Sequence, residues 1–354
     1  MQSFIYNGLP ARVLFGSGTR HQLKSEIERA GCRRALVLGT PEQKASAEEL
    51  AASLGGLAAG VFAGAAMHTP VEVTERALRQ VQEIDADCTV AVGGGSTTGL
   101  GKAIALRTDL PQFVIPTTYA GSEMTPIIGE TKDGAKTTQR NLKVLPEVVI
   151  YDVELTLTLP ARLSATSGMN AIAHAVEALY AQDRNPIMTL MAEEAIRALG
   201  RALPVIVADP QNVEARSDAL YGAWLCGICL GSVGMALHHK LCHVLGGSFD
   251  LPHAETHTVV LPHAFAYNAA AASDAAERIA RVLGGRGAAL ALFDLSGKLG
   301  APRSLKELGM PEDGIEKAAD IAAKNPYWNP RPIERNAIRD LIARAWAGEE
   351  PRQN

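Results

Sequence analysis

The chain lacks most of the features that mark a specialised class of protein. Its five cysteines, Cys32, Cys88, Cys226, Cys229 and Cys242, are an odd number scattered over 354 residues. That is no disulfide framework, and it points to a reducing cytoplasm. Cys226 and Cys229 form a lone Cys-x-x-Cys inside the apolar stretch 224–230. Helical packing accounts for that placement better than redox or metal chemistry, so both are assigned to the core. Basic charge is not in excess: 34 Lys and Arg stand against 38 Asp and Glu, for a net charge of −4. The electropositive footprint of a nucleic-acid binder is therefore absent. No charge-free apolar run of about 18 residues occurs, and the N-terminal stretch 1–16 has neither a basic start nor a continuous apolar segment. Neither membrane insertion nor export is expected.

What is present is a globular composition, with 47 % hydrophobic and 20 % charged residues, in a chain long enough for two domains at roughly 150 residues each. Up to about residue 150, the short apolar runs 34–39, 60–62, 88–92, 113–116 and 148–151 alternate with the amphipathic stretches 48–54, 74–84 and 100–106. Strands alternating with helices imply βαβ crossovers and a parallel sheet. Beyond Pro160 the Ala/Leu-rich segments 171–181, 188–202, 218–236 and 275–282 have helical length and composition. The expected organisation is an α/β domain over 1–159 followed by an all-α domain over 160–354, because Pro160 ends an extended segment and suits the start of a helix.

Two loops in the first half suit an anionic cofactor. The segment Gly-Gly-Gly-Ser-Thr-Thr (93–98) leaves an apolar run and enters a helix, so free backbone N–H groups and a helix dipole face whatever anion sits there. It is not the Gly-x-Gly-x-x-Gly fingerprint, and a tight βα turn needs glycine for conformational reasons alone. The next strand is left by Pro-Thr-Thr-Tyr-Ala-Gly-Ser-Glu (116–123), rich in hydroxyls and small residues. Two such loops at the carboxyl ends of successive strands favour a dinucleotide site over ordinary connections.

The histidines carry the second half. His174, His238, His239, His243, His253, His257 and His263 fall within one stretch of the nine-histidine chain. Asn170 and His174 are spaced i, i+4, as are His239 and His243, so each pair projects from one helix face; His253, after Gly-Gly and a Pro, reads as a loop residue. Two helical pairs and a loop histidine suggest a convergent site, whereas simple packing of two helices predicts lost stability with turnover intact. Three imidazoles and an oxygen ligand suit Zn²⁺ or Fe²⁺. Asn170, however, is neutral and offsets none of an ion's charge, so a metal is possible and not expected.

These residues resemble the iron-containing alcohol dehydrogenase family. Gly93-Gly94-Gly95-Ser96 with Lys102, the 116–123 loop, and the segments 152–160, 170–177 and 239–268 fall in the family's order and spacing over most of the chain. The resemblance implies an α/β N-terminal Rossmann-like domain followed by an all-α C-terminal domain, the dehydroquinate synthase-like fold. It implies a dinucleotide held by Gly94, Gly95, Ser96, Thr117, Thr118, Lys136 and Gly39. It also puts the family's metal ligands at Asn170, His174, His239 and His253, with Asn170 where metal-dependent relatives have Asp, and His243 beside the nicotinamide. Gly99 stands where the family usually has Asp.

Within the family, 116–123, Lys136-Thr137-Thr138 and Val144-Leu145-Pro146 most resemble the branch that reduces the carbon–carbon double bond of a dicarboxylate enone from aromatic-ring degradation. Gly39-Thr40 replaces the acidic residue of NAD-restricted relatives, so both NADH and NADPH are expected as cofactors. His243 or His253 is expected to donate a proton or stabilise an enolate, with His174, His239 and Asn170 positioning substrate and no metal required. The alternatives are a metal-dependent alcohol or polyol dehydrogenase using the same residues, a dehydroquinate synthase-like lyase, for whose phosphorylated substrate the histidine-rich segment offers only Lys240, and a nucleotide-binding or scaffold protein without turnover. Arg162, Lys240 and Arg140 are candidates for the substrate carboxylates. The strand-like stretch 4–15 and the resemblance together suggest a homodimer. The segment 325–332 is read as a packed turn, with Tyr327 and Trp328 as possible lining of the cleft.

Overall fold

The computed structural model describes residues 4–9, 11–324 and 326–352. One compact unit is Gly8–Leu159; the other runs from Pro160 onward and includes residues 4–7.

In the first unit, strands and helices alternate as β1 (Arg12–Gly16), α1 (Leu23–Arg29), β2 (Ala35–Leu38), α2 (Lys44–Leu54), β3 (Ala58–Phe62), α3 (Val71–Glu83), β4 (Cys88–Gly93), α4 (Gly95–Thr108) and β5 (Gln112–Pro116), followed by a hairpin, β6 (Ile127–Lys132) and β7 (Ala135–Arg140), and by β8 (Val148–Asp152). Six strands form one parallel sheet in the order β1-β8-β5-β4-β2-β3. Strands β4, β5 and β8 are buried along their whole length, as parallel strands covered on both faces must be. Alternate side chains serve opposite faces. Val37, Val90, Phe113, Ile115 and Ile150 pack with Leu50 and Leu54 on one side, while Leu36, Leu38, Ala91 and Val114 meet Ala77, Val81, Leu100 and Ile104 on the other.

The second unit is helical: α5 (Ala161–Ala178), α6 (Pro186–Ala208), α7 (Val213–Ser232), α8 (Leu237–Phe249), α9 (His253–Asn268), α10 (Ser273–Leu283), α11 (Ala288–Lys298), α12 (Gly314–Lys324) and α13 (Arg335–Ala347). Helices α5 and α9 are buried nearly all round, as central helices are. Helix α5 packs on α6, α7 and α9, and α8 packs on α9 and α12. Cys226 and Cys229 are buried on α7. Among the described residues no single helix is long and apolar enough to cross a membrane.

Three local readings differ from the expectation. The stretch 4–15 is extended in a strand only from Arg12, and 4–9 has no regular structure. The β6–β7 hairpin was hidden in a polar segment, although its Asp133-Gly134 turn, with φ of 50° and 74°, is the sequence favoured by tight hairpins. His253 is not in a loop; it is the first residue of α9, after the N-cap Pro252.

Candidate active site

In the α/β unit, the chain runs outward from β2 to β3 and then returns past β2 to β4 and β5. The direction of winding thus switches between β2 and β4, the place where open α/β sheets bind ligands at the carboxyl ends of their strands. Gly39 follows β2, Gly94, Gly95 and Ser96 follow β4, and Thr117 and Thr118 follow β5. These loops are tied together: the Thr117 N–H donates to the Gly93 carbonyl at 2.9 Å, and Gln43 Nε2 donates to Thr117 Oγ1 at 3.4 Å. Gly93, at φ 149°, leaves no room for a side chain, since a Cβ there would meet Thr97 Oγ1 at 2.5 Å. Helix α4 starts at the N-cap Gly94 with neither a side-chain cap nor an acidic residue in its first turn. Its first N–H groups are open to an anion, so this edge fits a pyrophosphate. The side chain of Lys136 lies outside the described residues.

Two further observations concern this edge. A Cβ on Gly99 would lie 2.4 Å from Thr69 Oγ1, so the Asp usual in the family has no space here. Lys102 is buried on α4 and donates to the carbonyls of Ser122 at 2.5 Å, Thr125 at 2.7 Å and Ile127 at 2.8 Å, and to Thr125 Oγ1 at 2.9 Å. It staples the loop after Thr118 to the helix that would hold the phosphates. Burial pulls its pKa down to about 7, with Glu123 opposing the shift.

In the helical unit, α5, α8 and α9 bring eight polar side chains together. Asn170, His174 and Glu177 lie on one face of α5, at i, i+4 and i+7. His239 Nδ1 lies 2.6 Å from Glu177 Oε2, and its Nε2 lies 2.9 Å from His174 Nδ1. A carboxylate only accepts, so the network assigns the protons: His239 donates from Nδ1 and accepts at Nε2 from His174 Nδ1–H. Glu177 also accepts the backbone N–H groups of Ala236 at 2.9 Å and His238 at 2.8 Å. It therefore caps α8, which has no side-chain cap of its own.

Behind this chain His238 Nε2 and His257 Nδ1 are 3.0 Å apart. Burial and the neighbouring imidazoles hold both rings well below the usual histidine range, and hence neutral. His253 stacks near His257 with ring centroids 4.3 Å apart. His243 faces Tyr327, with Nδ1 3.1 Å from the phenol oxygen. His174, His239, Asn170, His238 and His257 are buried, whereas His243 and His253 are exposed. Tyr327 thus touches the cluster as well as belonging to a turn, and Lys240 Nζ lies 5.5 Å over its ring.

The four residues that the family resemblance would give to a divalent ion do not fit one as arranged. The Asn170 amide supplies no charge, and its buried Oδ1 has no hydrogen-bond partner among the described residues. The His239 Nε2 lone pair points at His174 rather than at a shared centre.

Glu177, His238 and His257 are the participants to which the sequence reading gave no role, whereas Tyr327 was named there as possible lining of the cleft. The signal for Glu177 was its place three residues beyond His174, and for His257 its place four beyond His253.

An α/β unit with a phosphate cradle at its switch point and a helical unit built around clustered imidazoles together define a class. The chain belongs to the iron-containing alcohol dehydrogenase family: the model for iron-containing alcohol dehydrogenase matches residues 10–153, and that for the Fe-containing alcohol dehydrogenase family, C-terminal, matches 164–346. Among curated relatives, the maleylacetate reductase of Rhizobium sp. (strain MTP-10005) is 60 % identical over 99 % of this chain and 100 % of its own length, and maleylacetate reductase 1 of Rhodococcus opacus is 51 % identical over 98 % of both. The crystal structure of maleylacetate reductase from Agrobacterium tumefaciens superposes with a TM-score of 0.97 at 60 % identity, covering 99 % of this chain and 100 % of that one.

Proposed function

We propose that this chain catalyses the reaction for which those relatives are named, reducing the carbon–carbon double bond of maleylacetate to give 3-oxoadipate, with NADH or NADPH as the reductant. The observation that carries the reading is full-length identity of 60 % to a curated maleylacetate reductase.

The substrate is an enone flanked by two carboxylates. A bound nicotinamide would supply the hydride, which the alkene carbon next to the distal carboxylate accepts. The electron pair moves to the ketone oxygen as an enolate, and the adjacent carbon then takes a proton. Gly94, Gly95, Ser96, Thr117 and Thr118 hold the dinucleotide phosphates and ribose, and Gly39, with no carboxylate to repel a 2′-phosphate, admits both cofactors. Asn170 and the imidazoles present no anion to a dianionic substrate. His174 and His239, fixed in orientation by Glu177, position the enone, and His243 or His253 supplies the donor where enolate charge develops. The exposed His243 and His253 exchange protons with water, and one of them returns a proton to carbon. The chain works in the cytoplasm as a homodimer on a small molecule, without nucleic acid or membrane.

The test is oxidation of NADH and of NADPH by chelator-treated protein, with maleylacetate in one cuvette and small aldehydes in the other. Rapid turnover of maleylacetate with both cofactors is expected. Turnover of aldehydes alone, dependent on added Zn²⁺ or Fe²⁺, would identify a metal-dependent alcohol dehydrogenase instead.

A further inference from the structure

We propose that His238, Cys242 and His257 form a binding site for a thiophilic divalent ion of the zinc class, distinct from the four positions that resemble the family's ligands. Helix α8 presents His238 and Cys242 at i, i+4 on one face, and α9 brings His257 against them. The candidate ligand atoms all lie within 4.8 Å of one another: His238 Nε2 is 3.0 Å from His257 Nδ1 and 3.7 Å from Cys242 Sγ. Tetrahedral zinc, with bonds of about 2.0 Å to nitrogen and about 2.3 Å to sulfur, separates two such nitrogens by roughly 3.3 Å and nitrogen from sulfur by roughly 3.5 Å. Two of the three separations are thus within a few tenths of an ångström of the tetrahedral values, and drawing in the third, which lies within 4.8 Å, gives three ligands with a fourth position open.

The pairing of residue types supports this. Two imidazoles and a thiolate select zinc-class or copper-class ions over magnesium or calcium. Neither His238 Nδ1 nor His257 Nε2 has a partner among the described residues, so no outer hydrogen bond fixes either ring in a tautomer that opposes ligation. Binding needs no redox step. The ion forms two metal–nitrogen bonds and one metal–sulfur bond, the thiol proton leaves to solvent, and the ring proton between the two imidazoles moves to an outer nitrogen of its own ring. The Glu177 carboxylate, which accepts the His238 backbone N–H at 2.8 Å, supplies negative charge beside the loaded site.

The experiment is titration of the metal-free full-length protein with Co²⁺, followed by Zn²⁺. One equivalent of Co²⁺ is expected to give an intense thiolate-to-cobalt charge-transfer absorption with release of one proton, and Zn²⁺ is expected to abolish the absorption. Cys242→Ala should remove the band, and His257→Asn should weaken binding by about tenfold or more. The double variant His174→Ala/His253→Ala should keep it. Absence of the band in the intact protein overturns the proposal whether or not the variants fold. So does a band that survives Cys242→Ala, or one lost in the His174→Ala/His253→Ala protein.

Discussion

Replacing Glu177 by Gln tests the central chain of the site with minimal change of shape. Glu177 is fully buried and accepts three N–H groups: Ala236 N–H and His239 Nδ1–H at one oxygen, His238 N–H at the other. A carboxamide has one acceptor oxygen. If its NH₂ faces His238, a buried donor opposes a donor. If it faces His239, the Ala236 N–H is orphaned and the imidazole must take the opposite tautomer, which reverses the hydrogen bond to His174. Either placement strands a buried donor, costing about 1–3 kcal/mol. Loss of negative charge at the start of α8 adds roughly 0.3–1 kcal/mol. Because the orientation of His239 and His174 depends on this one group, kcat should fall by about 10–100-fold. The assay is NADH oxidation with maleylacetate alongside thermal denaturation. A Gln variant with native kcat and an unchanged melting temperature would refute the role given to Glu177.

Three other perturbations have definite outcomes. His243→Ala and His253→Ala, both exposed, should leave melting nearly unchanged, while the variant lacking the proton donor loses about 10²-fold or more in kcat; losses of only a few-fold in both would reject these residues as acids. Lys102→Met removes the ammonium donor that four oxygens share and should cost about 2–3 kcal/mol and raise KM for NADH, read by melting and steady-state kinetics. His263, buried beside Phe293, has its pKa lowered to about 4 by burial first and by Arg344 second. The unfolded chain takes up that proton below about 6.5 and the folded chain does not until about pH 4. Its contribution is thus fully present above pH 6.5 and is lost as pH falls toward 4, by about 3 kcal/mol in all. Denaturation midpoints of His263→Gln should fall less steeply than those of the parent between pH 6.5 and 4.

The sequence made the α/β alternation legible because a parallel sheet buried on both faces demands continuous apolar runs, as in 88–92 and 113–116. The imidazole cluster was legible because helical spacing alone aligns Asn170 with His174 and His239 with His243. Glu177 was harder to see, since the three N–H groups it accepts are 59 to 62 residues away and only the packing of α5 against the start of α8 brings them to it. His238 and His257 were left without a role for the same reason. Gly99 was noted as a departure from the family pattern, but its cause, the approach of Thr69, is tertiary. The tie between Gly93 and Thr117 links strands that adjoin only in the folded sheet.

The most direct test of the account is to follow deuterium from [4-²H]NADH into the product formed from maleylacetate. If the chain reduces the carbon–carbon bond, the label will be found by NMR in the methylene group next to the distal carboxylate of 3-oxoadipate, with the ketone intact. Label at a newly formed carbinol carbon would show carbonyl reduction and contradict it.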